Sequence, residues 1–546
     1  MSKLEGILTA KFKELVEKGT KLVLEQVVTT IASVADTAET EFIAYYDRLM
    51  PCLKYIIQNA NKEELKLLRG KTIECVTLIG MAVGTDKFMA DATEVMDMLL
   101  KTHGEGAELP DDDPQTSYLI SAWSRICKVL GKNFEQYLPL VMGPVMRTAA
   151  MKPDVALLDN EDMQGVEGDD DWQFVSLGEQ KNFGIRTAGL EDKAAACMML
   201  VCYARELKES FANYAEETVK LMVPMLKFYF HDSVRNAAAE SLPWLLECAT
   251  CKGPAFVQDM WRFICPELIK AIDTEPESEV LMILLDSLAR CIQTLGAGCL
   301  DQEAMTEMLR IIDKLMQEHF ERANDRHKKH LDEDYDEVVQ EQLEDEESDD
   351  IYVLSKISEV IHSLFLAYRE SFIPFFDQIC SHFVNLLVPT RPWADRQWGI
   401  CIFDDVIEFT GPACAKYQGL FLQPLALYVK DKSHEVRQAA AYGWGVLAQF
   451  GGEQFAGEVA KIIPSLVEVI SDPESKDARN INATENAIAA VTKIMKYNAS
   501  AINLDEIMPL WFNWLPVIED ADEAPHVYGY LCDLVEQNNP HVLGTI

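Results

Sequence analysis

Three groups of residues have the types and spacing that chemistry uses. Cys248-Ala249-Thr250-Cys251, with Cys265 downstream, has the gap of a zinc-binding pair. Tetrahedral zinc needs four ligands and usually a second cysteine pair, which does not follow. These thiols close a helical pattern and read as buried helix-end groups. The adjacent carboxylates Asp404 and Asp405 could act as acid and base if one were kept dry and its pKa raised. A helix surface without a cleft gives no such shelter. Gly296-Ala297-Gly298 and Gly451-Gly452 follow helical patterns and read as C-caps. The sequence has no phosphate loop, no Gly-x-Gly-x-x-Gly and no His-Glu-x-x-His. The expectation is a chain that is not an enzyme and uses no cofactor and no metal.

Charge narrows the remaining classes. The 546 residues hold 49 Lys and Arg against 89 Asp and Glu, a net charge of −40. Such a surface repels phosphate backbones, which excludes direct nucleic-acid binding as the expected role. With 49% hydrophobic residues the chain has ample material for a core. No run approaches 18 uninterrupted apolar residues, so no membrane partner is expected. Met1–Val16, with Lys3, Glu5, Lys11, Lys13 and Glu14, lacks a signal-peptide pattern. The 14 cysteines then read as small buried apolar residues in a reducing compartment.

The elements that must position these groups repeat. Two residues, mostly apolar, followed by proline recur at Leu49-Met50-Pro51, Tyr137-Leu138-Pro139, Met222-Val223-Pro224, Ile264-Cys265-Pro266, Phe372-Ile373-Pro374, Leu422-Gln423-Pro424, Ile462-Ile463-Pro464 and Ile507-Met508-Pro509. The spacing is about 43 residues or a multiple of it, the period of HEAT-type helix pairs. Val436, Ala440, Trp444 and Leu447 step by four, four and three, which is one face of a helix. The reading is an all-α solenoid of about eleven helix pairs forming a curved arch. Pairs fall near 5–17/20–36, 43–58/63–84, 86–103/115–130, 134–150/191–210, 214–230/234–250, 255–272/276–296, 302–328/351–369, 372–388/394–410, 414–430/434–450, 455–471/477–497 and 505–517/522–538. Trp123, Trp244, Trp398 and Trp444 read as core; Trp511 and Trp514 share one helix face and read as partly exposed.

Two acidic insertions interrupt the array. The organisation expected is repeats over 1–150, an insertion over 151–190, repeats over 191–328, an acidic loop over 329–350 and repeats over 351–546. The first insertion contains Asp169, Asp170 and Asp171, and is the one place where a strand could hide. The second includes Asp332, Glu333, Asp334, Asp336, Glu337, Glu344, Asp345, Glu346 and Glu347, with no Lys or Arg between 332 and 350. It follows a basic helix end with Arg322, Arg326, Lys328 and Lys329. Three roles are open: a solvated loop, an arm that contacts basic partners, or a pseudo-ligand docked on the chain's own basic helix end.

The block Arg391-Pro392-Trp393-Ala394-Asp395-Arg396-Gln397-Trp398-Gly399-Ile400-Cys401-Ile402-Phe403-Asp404-Asp405-Val406-Ile407-Glu408 is too specific for a generic repeat. With Lys71–Cys75, Val436–Gly443 and Asn482–Asn486 it resembles the importin beta (karyopherin beta) family. The resemblance runs through essentially the whole chain. It implies a nuclear import receptor of cytoplasm and nucleus that binds basic cargo proteins and Phe-Gly nucleoporins and releases cargo to the Ran GTPase. The family arch has about twice the repeats found here, so the chain resembles its central and C-terminal part. The principal Ran contact of the family falls in the half not represented.

Second helices line the concave face in such arches. The acids expected there are Glu74, Glu240, Asp286, Glu359, Asp404, Asp405 and Glu408. An acidic groove of this kind speeds capture of Lys- and Arg-rich segments. The alternative is a HEAT-repeat scaffold subunit of a non-transport complex, which would not bind Phe-Gly peptides.

Overall fold

The computed structural model describes residues 14–103, 115–152, 155–159, 172–176, 181–186, 189–330 and 336–543. The chain divides into two compact units, residues 1–271 and 272–546. The first holds α1 (Lys21–Ala38), α2 (Ile43–Asn59), α3 (Lys66–His103), α4 (Thr116–Leu130), α5 (Leu138–Ala150), a three-stranded sheet, α6 (Leu190–Leu207), α7 (Ala212–Met225), α8 (Asp232–Ala249) and most of α9 (Pro254–Thr274). The second holds α10 (Ser278–Leu295), α11 (Gln302–Lys329), α12 (Glu337–Tyr368), α13 (Ile373–Leu386), α14 (Trp393–Thr410), α15 (Gln418–Tyr428), α16 (His434–Phe450), α17 (Ala456–Ile470), α18 (Ile481–Tyr497), α19 (Leu504–Trp514) and α20 (Ala524–Glu536).

Helix α3 is interrupted at Gly84, whose φ of 78° few side chains tolerate. Its two halves match the expected boundary between 63–84 and 86–103. In each unit the second helices pack side by side: α1, α3, α4, α6 and α8 in the first, α10, α12, α14, α16, α18 and α20 in the second. The stripe Val436, Ala440, Trp444 and Leu447 on α16 is buried throughout. Each large apolar side chain so removed from water contributes about 1.5–3 kcal/mol. Phe365, Phe372, Phe376 and Phe403 continue that core from pair to pair, with Phe365 and Phe376 centroids 5.0 Å apart.

The ends of the helices follow from local chemistry. Asp301, Asp336 and Ser433 cap α11, α12 and α16 by accepting from Ala304, Val339 and Val436 N–H. Five second helices end on one residue with φ near 50°, followed by a short 3₁₀ turn: Glu39, Gly131, Lys208, Arg369 and Gly411. Only two of these are glycine. Pro139 and Pro374 sit in the first turn of a first helix, whereas Pro51, Pro224, Pro266, Pro424, Pro464 and Pro509 lie inside one.

The first insertion, the one place where a strand was expected to be possible, carries β1 (Val155–Asp159), β2 (Trp172–Ser176) and β3 (Lys181–Arg186), an antiparallel sheet in the order β1-β3-β2 appended to the helical array. Two expectations need correction. The second insertion is not a loop from 329 to 350. Helix α12 begins at Glu337, fourteen residues before the expected start at 351. Trp511 is fully buried, donating from Nε1 to Thr492 Oγ1 at 2.8 Å, and only Trp514 is half-exposed. The stretch Glu337–Leu386 is also long and apolar enough for a membrane test. Its apolar residues, Val353, Leu354, Ile357, Val360, Ile361 and Leu364, are instead buried in repeat packing.

Candidate partner-binding surface

The expected acids separate into two groups. Glu74 on α3 is half-buried and lies 3.5 Å from Arg125 Nη2 on α4; Glu240 on α8 is half-buried and also partnered. In the second unit, Lys356 on α12 bridges Asp286 on α10 and Glu359 on its own helix, each at 2.9 Å. Glu408 on α14 is half-buried and accepts from Tyr442 OH at 3.2 Å. These carboxylates keep part of their surface open along the second helices.

Asp404 and Asp405 do not belong to an open groove, contrary to expectation. Asp404 is 2% exposed, and neither carboxylate oxygen has a hydrogen-bond partner. It packs against the α16 backbone at Gly443, where a Cβ would stand 2.2 Å from Oδ1. Burial, then the charges of Asp405 and Glu408, push its pKa far up; Lys493 opposes this weakly. Asp405 accepts from His362 Nδ1 of α12 at 2.8 Å. Burial raises its pKa to about 6, and the His362 bond holds it from rising further. That bond raises His362 in turn, against desolvation. Further along, buried Lys493 on α18 lies 5.1 Å from the Tyr442 ring and donates to Glu523 at 2.8 Å. Sequence reading missed His362, Lys356, Lys493 and Glu523. Only the Lys356/Glu359 spacing, three apart on one helix, offered a signal.

Of the acidic run, Asp350 and Glu346 contact the chain's own basic helix end. Asp350, 4% exposed, accepts from Arg322 Nε at 2.6 Å and from Arg326 Nη1. Lys329 lies 3.5 Å from Glu346. Leu343 is the apolar anchor of this helix end. Glu337, Glu344, Asp345 and Glu346 remain exposed, Glu347 half-exposed, and Asp336 is spent on the cap. Asp332, Glu333, Asp334, Asp169, Asp170 and Asp171 lie outside the described residues.

The Cys248 and Cys251 thiols turn to separate carbonyls, Ala204 O at 3.2 Å and Cys248 O at 3.3 Å. Among the described residues no His, Cys, Asp and Glu side chains group as metal ligands.

Comparison with known proteins gives this arrangement a family. Residues 5–163 match the model for importin subunit beta-1-like TPR repeats, and residues 280–389 match importin repeat 6. Importin subunit beta-3 of Saccharomyces cerevisiae is 32% identical over 544 residues, 99% of this chain and 49% of that protein. The chain belongs to the importin beta family. A probable importin-5 homolog of Dictyostelium discoideum is 25% identical over 95% of the chain and 48% of its own length. The crystal structure of Kap121p superposes with a TM-score of 0.82 at 29% identity, covering 98% of this chain and 49% of Kap121p. Kap121p has also been crystallised bound to RanGTP, to Pho4p and to Nup53p. This importin beta family chain thus spans about half the length of the relatives it matches.

Proposed function

We propose that this chain is the partner-holding part of a nuclear import receptor that moves between cytoplasm and nucleus. It binds Lys- and Arg-rich segments of cargo through carboxylates on its second helices. It touches Phe-Gly nucleoporins through apolar notches between first helices, and RanGTP opposes cargo binding. The work is binding alone, with no bond made or broken.

The observation that carries this reading is the row Asp286, Glu359 and Glu408 on neighbouring second helices, with the exposed acids of α12 nearby in sequence, in a chain of net charge −40. Similarity to importin subunit beta-3, and the complexes crystallised for Kap121p, support it. The test is a titration with a Lys-rich peptide, a Phe-Gly peptide and RanGTP. Both peptides bind on this reading, and RanGTP weakens the basic peptide. A chain that ignores Phe-Gly peptide while holding folded partners is a scaffold subunit instead.

A further inference from the structure

In the second unit α12, α14, α16 and α18 pack in sequence, and their seam buries ionisable groups beside the open acids. Asp404 on α14 has both carboxyl oxygens buried without a hydrogen-bond partner, and Gly443 of α16 closes over Oδ1. Asp405 beside it is 9% exposed. From α12, His362 Nδ1 meets Asp405 Oδ1 at 2.8 Å, and Glu359 lies three residues earlier. From α16, Tyr442 OH donates to Glu408 at 3.2 Å. From α18, Lys493 is spent on Glu523, just before α20, at 2.8 Å. Cys401 on α14 and His526 on α20 are the other titratable neighbours. Helix α15 presents Leu425 there, and α13 meets α14 at Gly399 through Leu386 and Leu387. A carboxyl placed like Asp404 stays a neutral acid, because its ion would lose water and gain no partner. Glu408 follows four residues later on the same helix, about 5–6 Å away between Cβ atoms, and keeps part of its surface open.

We propose that a Lys-rich segment binding along these second helices expels protons from Asp404, Asp405 and His362, so that the chain holds basic partners more tightly as pH rises. This rests on the reading that second-helix carboxylates hold such segments. An ammonium brought to Glu408 or Glu359 favours the ionised form of Asp404 and Asp405 and disfavours the imidazolium of His362. All three changes release a proton, so they share one sign. Linkage makes the effect reciprocal: a proton that leaves when the segment binds also opposes that binding while it stays.

The groups titrate where this matters. Burial carries Asp405 to about 6, and its bond to His362 raises that imidazole above its usual range. The response therefore falls near neutral pH, where the lysines of a partner do not titrate.

The experiment titrates the full chain by calorimetry with a Lys-rich peptide that lacks His and is blocked at both ends. Two buffers of different ionisation enthalpy are used, and the difference in heat counts the protons. The expected result is a release of about 0.3–1 proton per bound peptide, with affinity rising about two- to tenfold between about pH 6 and about pH 7. Asp404→Asn has no proton to give there. It should release fewer, match the parent in acid buffer and fall behind it as pH rises. Infrared difference spectra of the parent should show the carbonyl band of a neutral carboxyl lost when peptide is added. A peptide that binds with no proton exchange, or with uptake, overturns the proposal alone. So does a release unchanged in both Asp404→Asn and His362→Gln. A peptide that does not bind overturns the reading beneath it as well. If the variants do not fold, the parent's infrared spectrum decides: a neutral carboxyl band that persists at saturating peptide overturns the proposal.

Discussion

Asp404 illustrates how much depends on a single carboxyl. A buried carboxylate with no partner costs more than its neutral acid, so the folded chain keeps the proton. The folded state then binds more protons than the unfolded one above the ordinary carboxyl pKa of about 4. Stability must fall as pH rises from that value through the raised folded pKa, at about 1.4 kcal/mol per pH unit. Asp404→Asn has no proton to lose. Its advantage over the parent should be near zero at about pH 4 and grow toward pH 8. Urea unfolding at several pH values measures this, and a difference flat with pH would contradict the buried-acid reading. His362 gives the same sign in a different pH window. Its folded pKa is raised, so its contribution is present below about pH 6.5 and lost as pH climbs through the folded value. His362→Ala should therefore destabilise more in mildly acid than in alkaline buffer, and the titration of Asp405 should move above its value near 6.

Helix boundaries were largely legible in the sequence because they depend on signals local in the chain. Pro51 and Pro139, the Ser433 cap and the α16 stripe all act within a few residues. The start of α12 was not legible, because like charges were taken to oppose helix and the opposing charges sit on another element. Glu, Gln and Leu are good helix formers, and Arg322 and Arg326 of α11 reach Asp350 of α12. Asp350→Asn leaves Arg326 buried beside a neutral amide. Breaking one side of a buried pair costs about 3–5 kcal/mol, more than a helix end can hold. Hydrogen exchange over Glu337–Ser348 should become fast while Val353–Phe365 stays protected. For the strands, only their place, the first insertion, was legible; their bounds were not, since the short segments lie among acidic residues that carry no period. The recurrent helix ending gives another element-scale test. Arg369 is exposed, not glycine, and held at φ 49°. Arg369→Gly relieves backbone strain on the order of 1 kcal/mol, so the chain should gain stability where glycine ordinarily costs it.

At the scale of the whole chain, a period near forty residues fixes the architecture because each pair buries its face only against its neighbours. Which acids are open to a partner was not fixed in that way. Asp404 and Asp405 look equivalent to Glu408 on a helical wheel, yet Gly443 lets α16 approach closely enough to bury Asp404, and Asp405 is buried against His362 of α12. The remaining open acids act collectively, through a field that salt screens over about 10 Å at 0.1 M and about 3 Å at 1 M. Affinity for a Lys-rich peptide should therefore fall steadily with added salt, mainly through slower association. Replacing Asp286, Glu359 and Glu408 together by their amides should weaken binding by on the order of 1–3 kcal/mol at low salt and by less at high salt. Neutralising Glu344, Asp345, Glu346 and Glu347 is the comparison, because those exposed or half-exposed acids belong to the helix end already docked on Arg322 and Arg326. If only this second set weakens the peptide, cargo is held by the N-terminal end of α12. If only the first set does, the second helices hold it. Equal affinity for both variants and the parent at low salt would mean that basic partners bind elsewhere on the chain.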